Sequence, residues 1–208
     1  MRKRILPIPL ILLIPSVLLV AVVVAGVYRF SLSDEDILAK FPSSHQNHDV
    51  IVKNFLSLNA TNPWTIQIPE SHAFSLLDTV DESSKTIIGQ YDSGVERGKV
   101  FVFYHHLQTI GKDYADPKGF VAPFMISNQG SGLFYYLGLF RWDGQKSRVV
   151  LSDSVLLGDR IELDGIVRTD DKLSVRFKQH SETQAMSDAP NADTRLEVGV
   201  QSGKISLH

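Results

Sequence analysis

Histidine is the residue type in this chain best suited to acid–base or metal chemistry, and there are seven of them. His105 and His106 follow Val102-Phe103-Tyr104, and Asp113 and Asp116 lie in the next polar stretch. An imidazole with a carboxylate in reach is the minimum for general acid–base hydrolysis, so these four residues form the hydrolase arrangement to test first. Neighbours on a strand face opposite sides, so the two rings are expected apart, unable to hold one ion together without a bend. His45 and His48 have an HxxH spacing, but Pro42 and the polar residues around them deny a helix. Zinc also wants a third ligand and a second shell, so these two are expected to be solvated loop residues.

Other catalytic chemistry finds little footing. Ser71-His72 is only a dipeptide, and neither a G-x-S-x-G elbow nor a supported S-x-x-K pair occurs. Asp34-Glu35-Asp36 reads as a helix start and Asp170-Asp171 as a turn; neither has the spacing of a calcium loop. Phosphate-binding glycine motifs are absent. With no cysteine there is no disulfide, thiolate metal site or cysteine nucleophile. No residue is therefore assigned as catalytic, cofactor-binding or metal-ligating. A binding protein is the expectation over an enzyme.

The elements that would position these groups begin with an apolar run. Ile5 to Tyr28 carries no charge and is preceded by Arg2-Lys3-Arg4. It predicts a transmembrane helix with a cytoplasmic N-terminus and the rest outside, in the periplasm of a bacterial inner-membrane protein. Cleavage as a signal peptide near Ala25 is the alternative. The domains expected are a stub and anchor over 1–29, a short helix and linker over 30–63, and an extracytoplasmic β-rich domain over 64–208. After Arg29 the chain has 17 basic against 23 acidic residues, a net of −6, which argues against nucleic acid.

Ser33 to Lys40 predicts a short helix ended by Pro42, and Val50 to Leu58 fits a strand or a helix. From Trp64 the pattern is β. Trp64 to Ile68, Lys85 to Tyr91 and Lys99 to Tyr104 read as strands. Leu133 to Trp142 is a long aromatic strand, with Asp143-Gly144 turning into Arg148 to Leu151. Arg160 to Leu163, Ile166 to Arg168, Leu173 to Phe177 and Arg195 to Val200 follow, and Gln179 to Asp193 is a loop. The fold class predicted is mainly β: after the anchor, an antiparallel sandwich-like or curled sheet with one or two short helices.

Asn128 to Asp164, with Gly130-Ser131-Gly132, Phe134-Tyr135-Tyr136-Leu137, Trp142-Asp143-Gly144 and Val155-Leu156-Leu157-Gly158-Asp159-Arg160, resembles a β-rich module of uncharacterised bacterial secreted proteins and lipoproteins. The resemblance implies an envelope location and β architecture, and no activity. Within that block, Asp159 and Arg160 read as a structural turn, with Arg160 free to pair with Asp159 or Glu162. Phe134 and Tyr136 share one strand face and Tyr135 and Leu137 the other, so the strand is expected to be central, with a half-exposed docking surface as the alternative. The leading functional expectation is a membrane-anchored envelope protein whose β-domain binds a partner protein or supports a membrane complex. A hydrolase using His105 or His106 with Asp113 or Asp116, and a small-ligand or lipid carrier with an apolar cavity, are the alternatives.

Overall fold

The computed structural model describes residues 10–31, 60, 62–110, 119–169, 172–201 and 203–207. The chain divides into two compact units, Met1–Phe41 and Pro42–His208. The first contains helix α1 (Leu10–Ser31), with Pro15 inside it and Ser16 Oγ donating to Leu12 O at 2.8 Å. Its aliphatic side chains are exposed, Leu19 and Val22 at 67% and 71%. Among the described residues, however, no helix is long and apolar enough to cross a membrane. This corrects the expected anchor over residues 5–28, and with it the single-pass inner-membrane and periplasmic placement. The secreted alternative, cleaved near Ala25, gains no support either. The helix expected over Ser33 to Lys40 and the segment Val50 to Leu58 lie outside the described residues.

The second unit is mainly β, as the sequence predicts. Its strands are β1 (Trp64–Gln67), β2 (Phe74–Asp81), β3 (Thr86–Asp92), β4 (Arg97–Phe103), β5 (Gln108–Thr109), β6 (Phe120–Asn128), β7 (Leu133–Asp143) and β8 (Arg148–Asp159). They continue with β9 (Glu162–Thr169), β10 (Lys172–Gln179), β11 (Ala192–Gln201) and β12 (Lys204–Leu207). The order β4-β3-β2-β1-β8-β7-β6 closes on itself because β4 also pairs with β6. The result is a seven-strand, barrel-like sheet, not an open curled one. Strand directions cannot alternate all the way round a ring of seven, so one neighbouring pair has to be parallel. That pair is β1 and β8, matched at Thr65 and Val150. Polar contacts reinforce the seam: Arg148, 1% exposed, donates to Thr65 Oγ1 at 3.0 Å, and Asn62 Nδ2 donates to Lys146 O at 2.6 Å.

Seven strands enclose a space that side chains fill. A column of rings occupies it. Trp64 lies 5.3 Å from Phe120 and 5.7 Å from Phe140, Phe120 stacks on Phe140 at 5.3 Å, and Phe124 stacks on Tyr136 at 5.1 Å. Ile66, Leu77, Ile87, Val100, Val102 and Val149 complete this buried core. Gly138 makes room for it, since a Cβ there would meet Phe140, Leu151 and Phe124 within 3.0 Å.

The four-stranded meander β12-β11-β10-β9 forms a second core against the outside of the barrel. Val121, Leu137 and Leu139 on the outer faces of β6 and β7 meet Ile166, Leu173, Val175, Phe177 and Val198. The alternation in β7 follows from this. Tyr136 and Phe140 point into the barrel and Leu137 and Leu139 into the second core, so the strand is central, as its two apolar faces imply.

Candidate functional site

The strand β4 carries Val100 and Val102 into the barrel, which turns Phe101 and Phe103 outward. The same alternation places Ile88, Met125 and Tyr135 on the outer face of β3, β6 and β7. Register brings these side chains into one row: Ile88 opposite Phe101, Phe101 opposite Met125, Met125 opposite Tyr135. All four are half-buried. The ring of Phe103 stacks on that of Tyr135 at 6.0 Å, so the row broadens into a band of aromatic and aliphatic surface. Tyr135 also packs against the second core, and the band therefore begins where the meander's cover ends.

His105 and His106 lie at the edge of this band. The chain does not continue β4 past Phe103; Tyr104–His106 forms a 3-10 turn, closed by Leu107 N–H to Tyr104 O at 3.2 Å. The turn brings the two imidazoles together, 3.9 Å between ring centres and tilted by 43°, where strand geometry would have set them apart. This corrects the expectation that they face opposite sides. His105 Nδ1 lies 3.4 Å from Lys85 O, and the edge of the Phe103 ring meets His105 at 6.3 Å. His106 approaches the backbone of Gly165 in β9. Asp113 and Asp116, the carboxylates that would complete a hydrolytic arrangement, lie outside the described residues, as do His45 and His48. Among the described residues no three His, Asp or Glu side chains gather as a metal site.

Burial holds the His106 pKa below the ordinary histidine value, and the neighbouring His105 charge lowers it further. The folded chain thus favours neutral His106. Its contribution to stability is complete above the unfolded pKa of about 6.5 and is lost as pH falls from there toward the folded value. The urea midpoint is expected to drop between pH 7.5 and 5.5, and to drop less in His106→Phe. An equal drop in both proteins would show that His106 does not carry the effect.

No family model, curated protein or solved structure matches this chain. Nothing in those comparisons bears on the resemblance carried by residues 128–164.

Asp159, Arg160 and Ser71, also singled out in the sequence, make structural hydrogen bonds, while Asp34-Glu35-Asp36 and Asp170-Asp171 lie outside the described residues. Asp159 Oδ1 accepts the Leu133 N–H at 2.8 Å. Arg160, in the left-handed region at φ 49°, donates to Ser131 O and Ser131 Oγ at 2.9 Å each and to Met186 O at 3.0 Å. It pins the turn before β7 to the loop between β10 and β11; its contact with Asp159 is a long 3.8 Å. Ser71 Oγ accepts the Ala73 N–H at 3.4 Å, within the turn between β1 and β2. The outward row escaped the sequence reading because it is made across strands. The alternation in Lys99 to Tyr104 was the available signal, since it sorts Phe101 and Phe103 from Val100 and Val102.

Proposed function

We propose that the β-domain, residues 64–208, is a binding module for another protein, docking on the outward band of Ile88, Phe101, Met125 and Tyr135 with Phe103. One observation carries this reading. The outer faces of β6 and β7 are partly sealed by the meander, yet the adjoining aromatic row stays partly open to solvent. Interfaces draw on aromatic and methionine side chains, and their binding energy concentrates in a few central anchors. A contiguous apolar patch is also a recurrent mark of a docking site. The hydrolase alternative rests on Asp113 and Asp116, which lie outside the described residues. The carrier reading meets a barrel interior occupied by the Trp64, Phe120, Phe124 and Phe140 rings.

The test is a photo-crosslinking amino acid placed singly at positions 101, 125 and 176 in producing cells. Arg176 is exposed on the meander and serves as the control. A discrete adduct is expected from 101 and 125 and none from 176. With the partner identified, Phe101→Asp is expected to weaken its binding at least ~30-fold, about 2 kcal/mol, the scale of an interface anchor. Adducts of equal yield at all three positions would overturn the assignment.

A further inference from the structure

We propose that His105 and His106, brought together by the bend that ends β4, form a two-imidazole site for a divalent d-block ion, copper(II) foremost. The site lies beside the outward band and does not depend on what docks there.

The bend turns two sequence neighbours into one site. On a continuing strand the rings would point apart. In the 3-10 turn Tyr104–His106 their centres come to 3.9 Å, with the planes tilted by 43°. Two imidazoles bound at a right angle to one ion, with nitrogens ~2.0 Å from it, hold their ring centres about 4.5 Å apart. The pair is within a small side-chain rotation of that spacing.

The turn is held at both ends. Val102 before it and Leu107 after it are buried in the barrel core, and the Leu107 N–H closes the turn on Tyr104 O. The edge of Phe103 meets His105 at 6.3 Å. His106 is half-buried and His105 exposed, so one ring is set by packing while the other is open to an arriving ion. Ligands already in place before binding lose less conformational freedom when the ion arrives.

A second observation points to a ligand nitrogen. His105 Nδ1 lies 3.4 Å from Lys85 O, a long hydrogen bond in which the proton sits on Nδ1 and Nε2 is left bare. A metal-binding imidazole commonly gives its other N–H to a backbone carbonyl in this way. Lys85 presents that carbonyl from left-handed backbone at φ 53°, which is uncommon for a residue other than glycine. His106 turns its Cε1–Nδ1 edge toward Gly165, where a Cβ would stand 3.9 Å and 4.0 Å away, and its ring nitrogens have no hydrogen-bond partner among the described residues. Nε2 of each ring is the nitrogen left for the ion. The donor set then selects the metal. With no third His, Asp or Glu at the pair among the described residues, it falls short of the three protein ligands of a zinc site and of the oxygens that Ca²⁺ requires. Copper(II) binds such nitrogen donors most strongly of the divalent series and takes two side by side in a tetragonal plane, with water completing it.

The experiment is a titration of the full chain with CuCl2, NiCl2 and ZnCl2 at pH 7.5, followed by amide NMR. Cu²⁺ is expected to broaden the amides of Lys85, His105, His106 and Gly165 before any others, with a Kd of about 10 μM or tighter, and Ni²⁺ and Zn²⁺ to bind there at least ~10-fold more weakly. His105→Ala and His106→Phe are each expected to cost at least ~10-fold in Cu²⁺ affinity. His105 is exposed, so His105→Ala retains the fold and decides the matter should His106→Phe lose it. His45→Ala combined with His48→Ala is expected to leave the affinity at the bend unchanged. Broadening that begins at other histidines and reaches the bend no earlier would show only the ordinary affinity of copper for imidazole and would overturn the proposal. An affinity unchanged in His105→Ala, or Zn²⁺ binding at the bend more tightly than Cu²⁺, would overturn it as well.

Discussion

Phe140→Ala is expected to lower the unfolding free energy by about 3–5 kcal/mol, the usual cost of removing a fully buried aromatic ring. Phe140 is fully enclosed in the barrel, stacked on Phe120 and tilted against Trp64 and Phe124. With Phe140 on β7, the four rings span β1, β6 and β7, and closed strands cannot move inward to fill the space. The cavity therefore persists, which puts the cost at the upper part of the range. Against a typical stability of ~5–15 kcal/mol, a loss of about 3–5 kcal/mol is roughly a fifth or more of the total. Urea denaturation at pH 7.5 provides the measurement. The outward Phe101→Ala is the comparison and is expected to cost about 1 kcal/mol. A Phe140→Ala loss below about 1.5 kcal/mol would mean that the ring column is not the barrel's main support.

Gly98→Ala is the second large effect, and it arises from added volume, not lost volume. The new Cβ would stand 2.3 Å from Ser127 O, on the strand directly across the β4–β6 pairing. A backbone carbonyl held in a ladder cannot swing aside as a side chain can, so β6 has to shift. Tyr91 is displaced as well, breaking its bond to Glu96. The expected cost is about 1–3 kcal/mol for overpacking. The Tyr91 phenol should also titrate closer to an ordinary tyrosine, visible as an earlier rise in phenolate absorbance. Gly144→Ala is the control, because its Cβ would meet nothing closer than 3.6 Å. It is expected to stay within about 0.5 kcal/mol of the parent. Equal effects from the two substitutions would remove close packing as the explanation for Gly98.

What the sequence conveyed was whatever its local pattern decides. Leu133 to Trp142 declared a strand with two apolar faces, and Asp143-Gly144 declared its turn. The hairpin of β9 and β10 and the loop before β11 were legible for the same reason. β6 was not, because Phe120 to Ile126 is continuously apolar and holds Pro123, a residue that argues against a central strand. The register explains the tolerance: β5 pairs with β6 at Phe120 and Val121, and β4 takes over at Phe124. Pro123 falls in the gap between these two partners, so on that side of β6 no strand is paired with it, while on the other it lies opposite Leu137 of β7. β8 was read as short because Ser152-Asp153-Ser154 interrupts its apolar pattern, although the strand runs through to Asp159. The bend that joins His105 to His106 had no helical signature, and barrel closure depends on partners far apart in the chain. Of the candidate sites, the histidine pair was found by residue type. The outward row exists only once the strands are in register.

The odd strand count has a consequence for how the molecule assembles. Every barrel pairing except two joins strands that follow one another in the chain, so hairpins can form early and locally. The seam is different: Thr65 and Arg148, which meet there, are 83 residues apart. Bringing such distant segments together carries the larger loop-closure entropy and is favoured only once the intervening strands are in place. The seam is therefore expected to close after the hairpins have formed, so that β1, first of the described strands, takes part both in an early local pairing with β2 and in the late long-range pairing with β8.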